Sequence, residues 1–234
     1  IKLLAIWLVL VVLMPRTAQA LGSYLFPSPS KVEFESVIED EVVQKGDSHN
    51  PDDRYFNALR DSVLAAHKVR SIEELPFNYG GFVMGIGEKT SSEIYNSHLE
   101  GLMQIYTQQN TLSQWAAVLN PYMALKHISM ALSGTDFETY LDFQEQAEKY
   151  RYDLAQKMNE LQMEHISPKK AQGSEGKTHV VSHKEWSRIP DFDHRFLTFS
   201  NAARNVWLSI LSLVGWSLAA AWGMVYLSNK VISV

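Results

Sequence analysis

The stretch that decides the fold is residues 206–227, VWLSILSLVGWSLAAAWGMVYL, which runs 22 residues without a charged side chain. At about 1.5 Å per residue, a helix of this length matches a bilayer core about 30 Å thick. Aromatic residues lie near both ends, as interfacial anchors do, and Arg204 and Lys230 bracket the stretch. The pattern predicts a C-terminal transmembrane helix over residues 204–230.

Small residues lie along one side of this predicted helix, at Gly215, Ser217 and residues 219–221. Small side chains allow two membrane helices to approach closely, so they predict a packing face for another helix. The alternative is a buried core helix. That requires a domain large enough to surround the helix on every side, which a chain of 234 residues seldom provides.

The N-terminal end carries a second apolar run, twelve residues long at 3–14, with Lys2 before it and Pro15 and Arg16 after it. Alone, this pattern fits a secretory signal peptide with a small-residue cleavage site at residues 18–20. It equally fits the outer part of a transmembrane helix. The chain opens with Ile rather than Met, which favours a helix truncated at its start, and we predict a transmembrane helix over residues 1–22.

The region between the two ends, residues 23–203, reads as a helical domain because helical stretches with start and stop signals recur there without alternation of period two. Residues 50–53 predict a cap with Pro at the first helical position and a helix to His67. The next residues, with Pro76 and four glycines, predict a break.

The helices that follow predict a long antiparallel hairpin. One helix spans residues 90–119, a short one spans residues 122–133 and ends at Gly134 in a left-handed cap, and another long one runs to His165. Residues 167–178 read as a loop and residues 182–185 as a capping box. The fold prediction is therefore all-α, with two flanking transmembrane helices around a domain built on this hairpin.

Composition limits the chemistry. The chain has no Cys, which rules out disulfides and thiolate sites. Every Asp and Glu lies in residues 33–193, so the middle is acidic and the flanks are basic, and nucleic acid is not expected as a partner.

No catalytic, cofactor-binding or metal-binding residue is predicted. Residues 85–90, GIGEKT, resemble a phosphate loop, but Glu88 stands where a Gly is needed, so they read as a turn. His179 and His183 have helical spacing without the Glu of a hydrolytic zinc motif. His98 and His127 lie on apolar helix faces and read as hydrogen-bonded core or interface residues. The chain is not expected to be an enzyme.

Four segments carry a resemblance to a known family. Residues 120–137, NPYMALKHISMALSGTDF, and above all residues 129–137, resemble the signature of bacterial ABC-2-type transporter permeases with a large, uncharacterised extracytoplasmic domain near the C-terminus. Residues 24–31, 73–84 and 150–160 are similar to further segments of that family. The resemblance covers nearly the whole chain.

The resemblance implies the C-terminal half of a permease: a multi-pass protein of the bacterial cytoplasmic (inner) membrane whose middle domain lies outside it. Its expected partners are the lipid bilayer, a separate ABC ATPase subunit that hydrolyses ATP, and a second permease copy or homologue. The resemblance also implies that an N-terminal half with the remaining membrane helices precedes these residues, which are not expected to transport by themselves. The rival hypothesis is a secreted or membrane-anchored helical binding or assembly module with an N-terminal signal peptide.

Overall fold

The computed structural model describes residues 1–167 and 181–232, and within them the regular structure is helical throughout, with no strand. This confirms the all-α prediction. The helices, in chain order, are α1 (Lys2–Leu25), α2 (Lys31–Lys45), α3 (Arg54–His67), α4 (Tyr79–Leu119), α5 (Pro121–Ser133), α6 (Phe137–His165), α7 (His183–Trp186), α8 (Phe199–Asn205) and α9 (Trp207–Ile232). The predicted loop at residues 167–178 lies almost entirely outside the described residues.

Helices α1 and α9 are the two elements long and apolar enough to cross a bilayer. Each offers 24 residues, Lys2–Leu25 and Trp207–Lys230, and only 6% of its most apolar window is buried. The core helix of a soluble domain would be mostly covered, so the buried-helix alternative for α9 loses its support. A signal sequence passes the same test at the N-terminus, so both alternatives for α1 remain.

The contacts divide the chain into two units, which we describe separately. The first consists of residues 1–28, 101–145 and 194–234, and the second of residues 29–100 and 146–193. The first unit therefore contains α1, α5, α8 and α9 together with one end of each long helix. The boundaries of the predicted extracytoplasmic domain, 23–203, stay a prediction.

In the first unit, α5 is the central element. It packs against α8, against α9 and against a π-helical turn of α1, Val9–Leu13. The cluster at this junction consists mainly of small side chains, which let the helix axes approach closely. Its members are Ala18, Ala117, Met123 and Ala124.

Gly134 ends α5 as predicted, since it adopts a left-handed conformation with φ 68° and ψ 31°. The Gly134 N–H bonds to the Ala131 oxygen, and the Thr135 N–H reaches back to the Met130 oxygen at 2.9 Å. These bonds satisfy carbonyl groups that a helix end leaves without partners. Helix α6 begins three residues later, at Phe137.

In the second unit, Asn78 and residues 79–92 of α4 run antiparallel to residues 151–163 of α6. The Asn78 N–H donates to the Met163 oxygen at 2.9 Å, and the Gln156 amide donates to the Gly85 oxygen at 3.0 Å. The two sets of residues pair in reverse order, which confirms the antiparallel arrangement for this part of the predicted hairpin.

The predicted break is present but shorter than expected: it covers residues 68–78, with Pro76, whereas α4 begins at Tyr79 and contains the glycines of residues 80–87. A Cβ atom on Gly81 would lie 2.6 Å from the Met163 nitrogen and 2.7 Å from the Asn159 oxygen. On Gly87 it would lie 2.6 Å from the Ser48 Cβ. These glycines permit close backbone approach, and their helix-weakening effect is overridden by packing.

Two helix starts differ from the sequence prediction, and a third was not predicted. The cap of α3 is Asp53, whose carboxylate accepts from the Phe56 N–H at 3.0 Å, so Pro51 precedes the helix. The capping box expected at Ser182 is wrong, since that side chain makes no cap hydrogen bond. A complete capping box, Ser30 with Glu33, instead opens α2, which the sequence analysis did not predict.

Candidate functional site

The junction between α4 and α5, residues 115–125, contains a buried side chain, Asn120, that makes three hydrogen bonds. We call these residues the α4–α5 corner. Asn120 at its centre is fully buried. Its Oδ1 accepts from the Tyr122 N–H at 3.0 Å and the Met123 N–H at 3.4 Å, which caps α5. Its Nδ2 is thereby free to donate elsewhere.

The acceptor of that donor is the main-chain oxygen of Leu10 in α1, at 2.7 Å. Leu10 lies in the π-helical turn, where the Met14 N–H bonds five residues back to Val9. At the same spacing Leu10 would accept from Pro15, which has no N–H. The Asn120 amide therefore supplies the hydrogen bond that Pro15 withholds, and this polar pair is satisfied inside an otherwise apolar junction.

Side chains of α9 donate hydrogen bonds to main-chain oxygens on the other side of the corner. The Ser212 hydroxyl donates to the Ala117 oxygen at 2.8 Å, and the Trp216 indole N–H donates to the Val118 oxygen at 3.1 Å. These carbonyls belong to the last turn of α4, where the helix lacks its usual N–H donors, and the Ala117 oxygen also accepts from the Asn120 N–H at 3.3 Å. Both long apolar helices thus bind the same corner. Helix α1 does so through its own Leu10 oxygen, and α9 does so through the Ala117 and Val118 oxygens of the corner.

The outer surface of the corner is apolar and open. Large side chains here keep between 37% and 69% of their surface exposed within the chain, although soluble domains rarely leave such a set uncovered. They are Trp115, Val118, Leu119, Tyr122 and Leu125.

His127 connects three helices of the first unit. Its Nε2 lies 3.3 Å from the Ser113 hydroxyl of α4, and its Nδ1 lies 3.4 Å from the Ser209 hydroxyl of α9. Burial, and secondarily the adjacent charge of Lys126, lower the pKa of His127 below its ordinary value. The imidazole is therefore neutral at physiological pH and links the two hydroxyls, in agreement with the hydrogen-bonded role predicted for it.

A cavity of about 800 Å³ opens beside the corner, between α1, α4 and α5. Its lining includes two cationic side chains, Arg16 and Lys126, and no acidic one. Neither cation has an ion pair or a side-chain hydrogen bond within the described parts of the chain. The lining residues are Val11, Val12, Pro15, Arg16, Gln19, Gly22, Tyr106, Gln109, Asn110, Ser113, Tyr122, Met123, Lys126, His127 and Phe137.

A polar contact joins α1 and α4 beside the cavity, at the lining residue Gln109. The Gln109 amide donates to the Phe26 oxygen at 2.6 Å, which closes the C-terminal end of α1 against α4. Gly22 faces the same side chain, and a Cβ there would lie 3.5 Å from the Gln109 Cβ. Together with the Asn120–Leu10 bond, this contact fixes α1 beside α4 at both ends of the cavity.

The other residues singled out from the sequence lie outside the cavity. Residues 85–90 are inside α4, where main-chain N–H groups already bond within the helix, so they form neither a turn nor a phosphate cradle. The His98 Nε2 lies 2.7 Å from Glu41, which agrees with its predicted hydrogen-bonded role. No group of three potential ligands that could hold a metal ion occurs in the described residues, and His179 lies outside them.

Residues 31–195 match the protein family described as a domain of unknown function, DUF3526. This span is more than two thirds of the chain. The chain belongs to the DUF3526 family. The DUF3526 region begins at the first residue of α2 and contains the α4–α5 corner, whereas the two apolar helices that bind the corner lie outside it. No curated protein and no solved structure matches the chain.

Sequence reasoning found the corner but not the cavity. Residues 120–137 stood out by their resemblance to a permease signature, and local signals within them predicted the short helix and its left-handed end at Gly134. The cavity depends on contacts between residues about 100 positions apart, such as Asn120 with Leu10, and nothing in the local sequence of either segment signals them. The DUF3526 description names no activity, so the resemblance to permeases stays a prediction.

Proposed function

We propose that the chain is a membrane-spanning subunit, the C-terminal part of a permease of an ABC-type transporter. The observation that carries the proposal is the joining of two exposed apolar helices, α1 and α9, on the α4–α5 corner. Two such helices in water would expose a large apolar surface, which a bilayer removes. Among the possible roles of such a membrane protein, the resemblance of residues 120–137 to ABC-2-type permeases favours a transport subunit.

The hydrogen bonds of the corner to Leu10 and Ser212 relate its position to the ends of α1 and α9, and so to the proposed membrane boundary. Leu10 lies six residues before Arg16, and Ser212 lies five residues after Trp207, which corresponds to about 9 Å and 8 Å along the two helices. If Arg16 and Trp207 mark the membrane boundary, Asn120 lies inside the hydrocarbon region. Its complete hydrogen bonding and the open apolar surface around it suit that location.

The far end of α9 is suited to the opposite boundary. Trp222 stacks on Tyr226 with ring centroids 5.6 Å apart, and the Lys230 ammonium lies 5.6 Å from the Tyr226 ring. From Trp207 to Tyr226 the helix rises about 29 Å, close to the thickness of the hydrocarbon core. We place the C-terminus in the bacterial cytoplasm and most of the DUF3526 region outside the membrane.

The proposal assigns ATP hydrolysis to a separate ABC ATPase subunit, since the phosphate-loop-like residues 85–90 lie within a helix. It assigns a second permease copy or homologue to the open face of α9. There Gly215, Ala219 and Gly223 recur every four residues, and a Cβ on either glycine would have no neighbour within 4 Å. Gly215 and Ala219 also line an apolar groove of about 410 Å³.

The test uses the full-length protein, with its upstream membrane helices, purified from its own host in a mild detergent. We expect an ABC ATPase to copurify and deletion of its gene to abolish the activity of the transporter. Recovery of a lone monomer without an ATPase would contradict the permease proposal and favour the membrane-anchored binding module.

A matched pair of variants tests the partner face. Ala219→Leu places a large side chain in the groove of α9, whereas Ala221→Leu makes the same change about 160° around the helix. We expect Ala219→Leu to reduce recovery of the second permease subunit and Ala221→Leu to leave it unchanged. Equal effects of the two substitutions would remove the groove from the interface.

A further inference from the structure

The cavity of the first unit is amphipathic along its length. On α1 its lining positions step by three or four residues, with Val11 and Val12 at the membrane end and Arg16 and Gln19 beyond them. The polar side chains therefore lie toward the membrane boundary and the apolar ones toward the hydrocarbon region. A ligand that fits this order has a polar head and an apolar tail.

The charges in the cavity select an anionic head. Arg16 and Lys126 belong to different helices, and no acidic side chain lines the cavity between them. Some other cations of the chain are paired, for example Lys45 with Glu41 at 2.8 Å and Arg151 with Glu88 at 2.8 Å. Two cations without a counter-charge favour an anion, and both side-chain types donate well to phosphate oxygens.

The polar groups around these cations can complete such a site. Gln19, Asn110 and Tyr122 also line the cavity and offer neutral donors. His127 is committed to Ser113 and Ser209, so it forms part of the wall. A cavity of about 800 Å³ is large enough for a lipid headgroup and the first part of its acyl chains.

We propose that this cavity binds one phospholipid with an anionic headgroup, its phosphate at Arg16 and Lys126 and its acyl chains beside Val11 and Val12. The bilayer supplies this ligand at the boundary where the two cations lie, and the charge of the cavity favours it over a zwitterionic lipid. The inference rests on the membrane placement proposed above and not on the transport role.

The test is thermal unfolding of the full chain in a neutral detergent, titrated with phosphatidylglycerol. A ligand that binds only the folded state raises the Tm in a saturable way. We expect phosphatidylglycerol to do so at concentrations about tenfold below those needed for phosphatidylcholine with the same acyl chains, because the two cations attract its net negative charge. Equal titrations with the two lipids would overturn the proposal.

The variants locate the site. Arg16→Gln/Lys126→Gln should need about tenfold more phosphatidylglycerol for the same rise in Tm. Lys2→Gln/Arg204→Gln removes the same charge from α1 and α8, outside the cavity, and should titrate as the wild type does. The exchange Arg16→Lys/Lys126→Arg keeps both charges and should keep the binding even if the neutral variant is less stable. An unchanged titration of the neutral variant would show that the lipid binds elsewhere.

A titration with inorganic phosphate distinguishes a lipid headgroup from a soluble anion as the ligand of the cavity. If phosphate alone gave the whole rise in Tm, the cavity would be a site for a soluble anion, and the lipid proposal would be wrong. Loss of the lipid preference while an ATPase still copurifies would overturn this inference alone and leave the permease proposal standing.

Discussion

The side-chain amide of Asn120 donates to the main-chain oxygen of Leu10 at 2.7 Å, across 110 positions of the chain. The same residue caps α5 through its other side-chain atom. One buried side chain therefore starts a helix and binds α1 to it. Loss of this group would leave the Leu10 oxygen and the first N–H groups of α5 without partners.

Asn120→Ser and Asn120→Ala separate these two roles. Serine can still cap α5 but is too short to reach Leu10, whereas alanine does neither. We expect Asn120→Ser to lower the free energy of unfolding by about 1–3 kcal/mol, the cost of one buried unsatisfied group, and Asn120→Ala by about 1 kcal/mol more. Denaturant unfolding of the full chain in detergent measures both. Equal stability of Asn120→Ala and wild type would show that water replaces the side chain.

The membrane depth of the α4–α5 corner can be measured by cysteine labelling, because the chain has no Cys of its own. Leu119 is 69% exposed within the chain, and Thr111 lies exposed two turns earlier on the same helix. We expect a membrane-impermeant maleimide to label Thr111→Cys in intact spheroplasts and Leu119→Cys only after detergent is added. Labelling of both in intact spheroplasts would place the corner in water.

Gly81→Ala and Gly101→Ala make the same substitution at two points of α4. At Gly81 the new methyl group would meet main-chain atoms at 2.6 and 2.7 Å, whereas at Gly101 it would have no neighbour within 4 Å. We expect Gly81→Ala to cost about 1–3 kcal/mol by overpacking and Gly101→Ala to gain up to about 1 kcal/mol in helix propensity. Thermal unfolding should order the three proteins accordingly, and equal stabilities would mean that α6 shifts away from Gly81.

Gly134→Val tests the left-handed end of α5. A Cβ there would lie 3.8 Å from its nearest neighbour, so the cost is backbone strain of about 1–2 kcal/mol. The neighbouring Ser133→Ala removes an exposed hydroxyl and should change stability by less than about 0.5 kcal/mol. Thermal melts of the two variants that coincide would show that the chain turns at this point in another conformation.

The ion network of Arg151 predicts an acid-sensitive stability. Arg151 donates to Glu148 at 2.7 Å and also binds Glu88 and Ser92. The hydrogen bond from Arg151 lowers the pKa of Glu148 below 4.5, its ordinary value. A lowered pKa in the folded state stabilises the protein above the unfolded-state pKa, and that stabilisation is lost as the pH falls through the folded-state pKa.

Glu148→Gln should therefore reduce the loss of stability between neutral pH and the acid range. Arg151→Gln should reduce it at least as much, because it removes the contacts to both Glu148 and Glu88, and adding Glu148→Gln to Arg151→Gln should change it no further. Denaturant midpoints of the four proteins at a series of pH values provide the measurement. Additive effects of the two substitutions would show that Glu148 is stabilised by another partner.

Local signals predicted the parts of the fold that are decided locally. Gly134 follows an apolar helix and precedes two capping residues, so its conformation and the end of α5 were predicted correctly. The apolar composition of α1 and α9 similarly reveals elements that could cross a bilayer. The capping box of α2, Ser30 with Glu33, is equally local and was overlooked.

The prediction failed where distant residues decide the structure. Gly81 and Gly87 break a helix by propensity, yet they lie inside α4 because Met163 and Ser48 approach their backbone. The cavity exists because Asn120 and Gln109 hold α1 against α4, and neither partner is visible in the local sequence. For the same reason the sequence analysis named Arg16 only as a flank of the apolar run and did not single out Lys126.

The first unit is assembled from three separate parts of the chain, residues 1–28, 101–145 and 194–234. During synthesis the two earlier parts emerge long before the last one. The hydrogen bonds from Ser212 to the Ala117 oxygen and from Trp216 to the Val118 oxygen can therefore form only after the last part has been made. The second unit has both of its parts by residue 193. The order of translation therefore lets the second unit fold first, and it leaves the first unit dependent on the late synthesis of α9 for its completion.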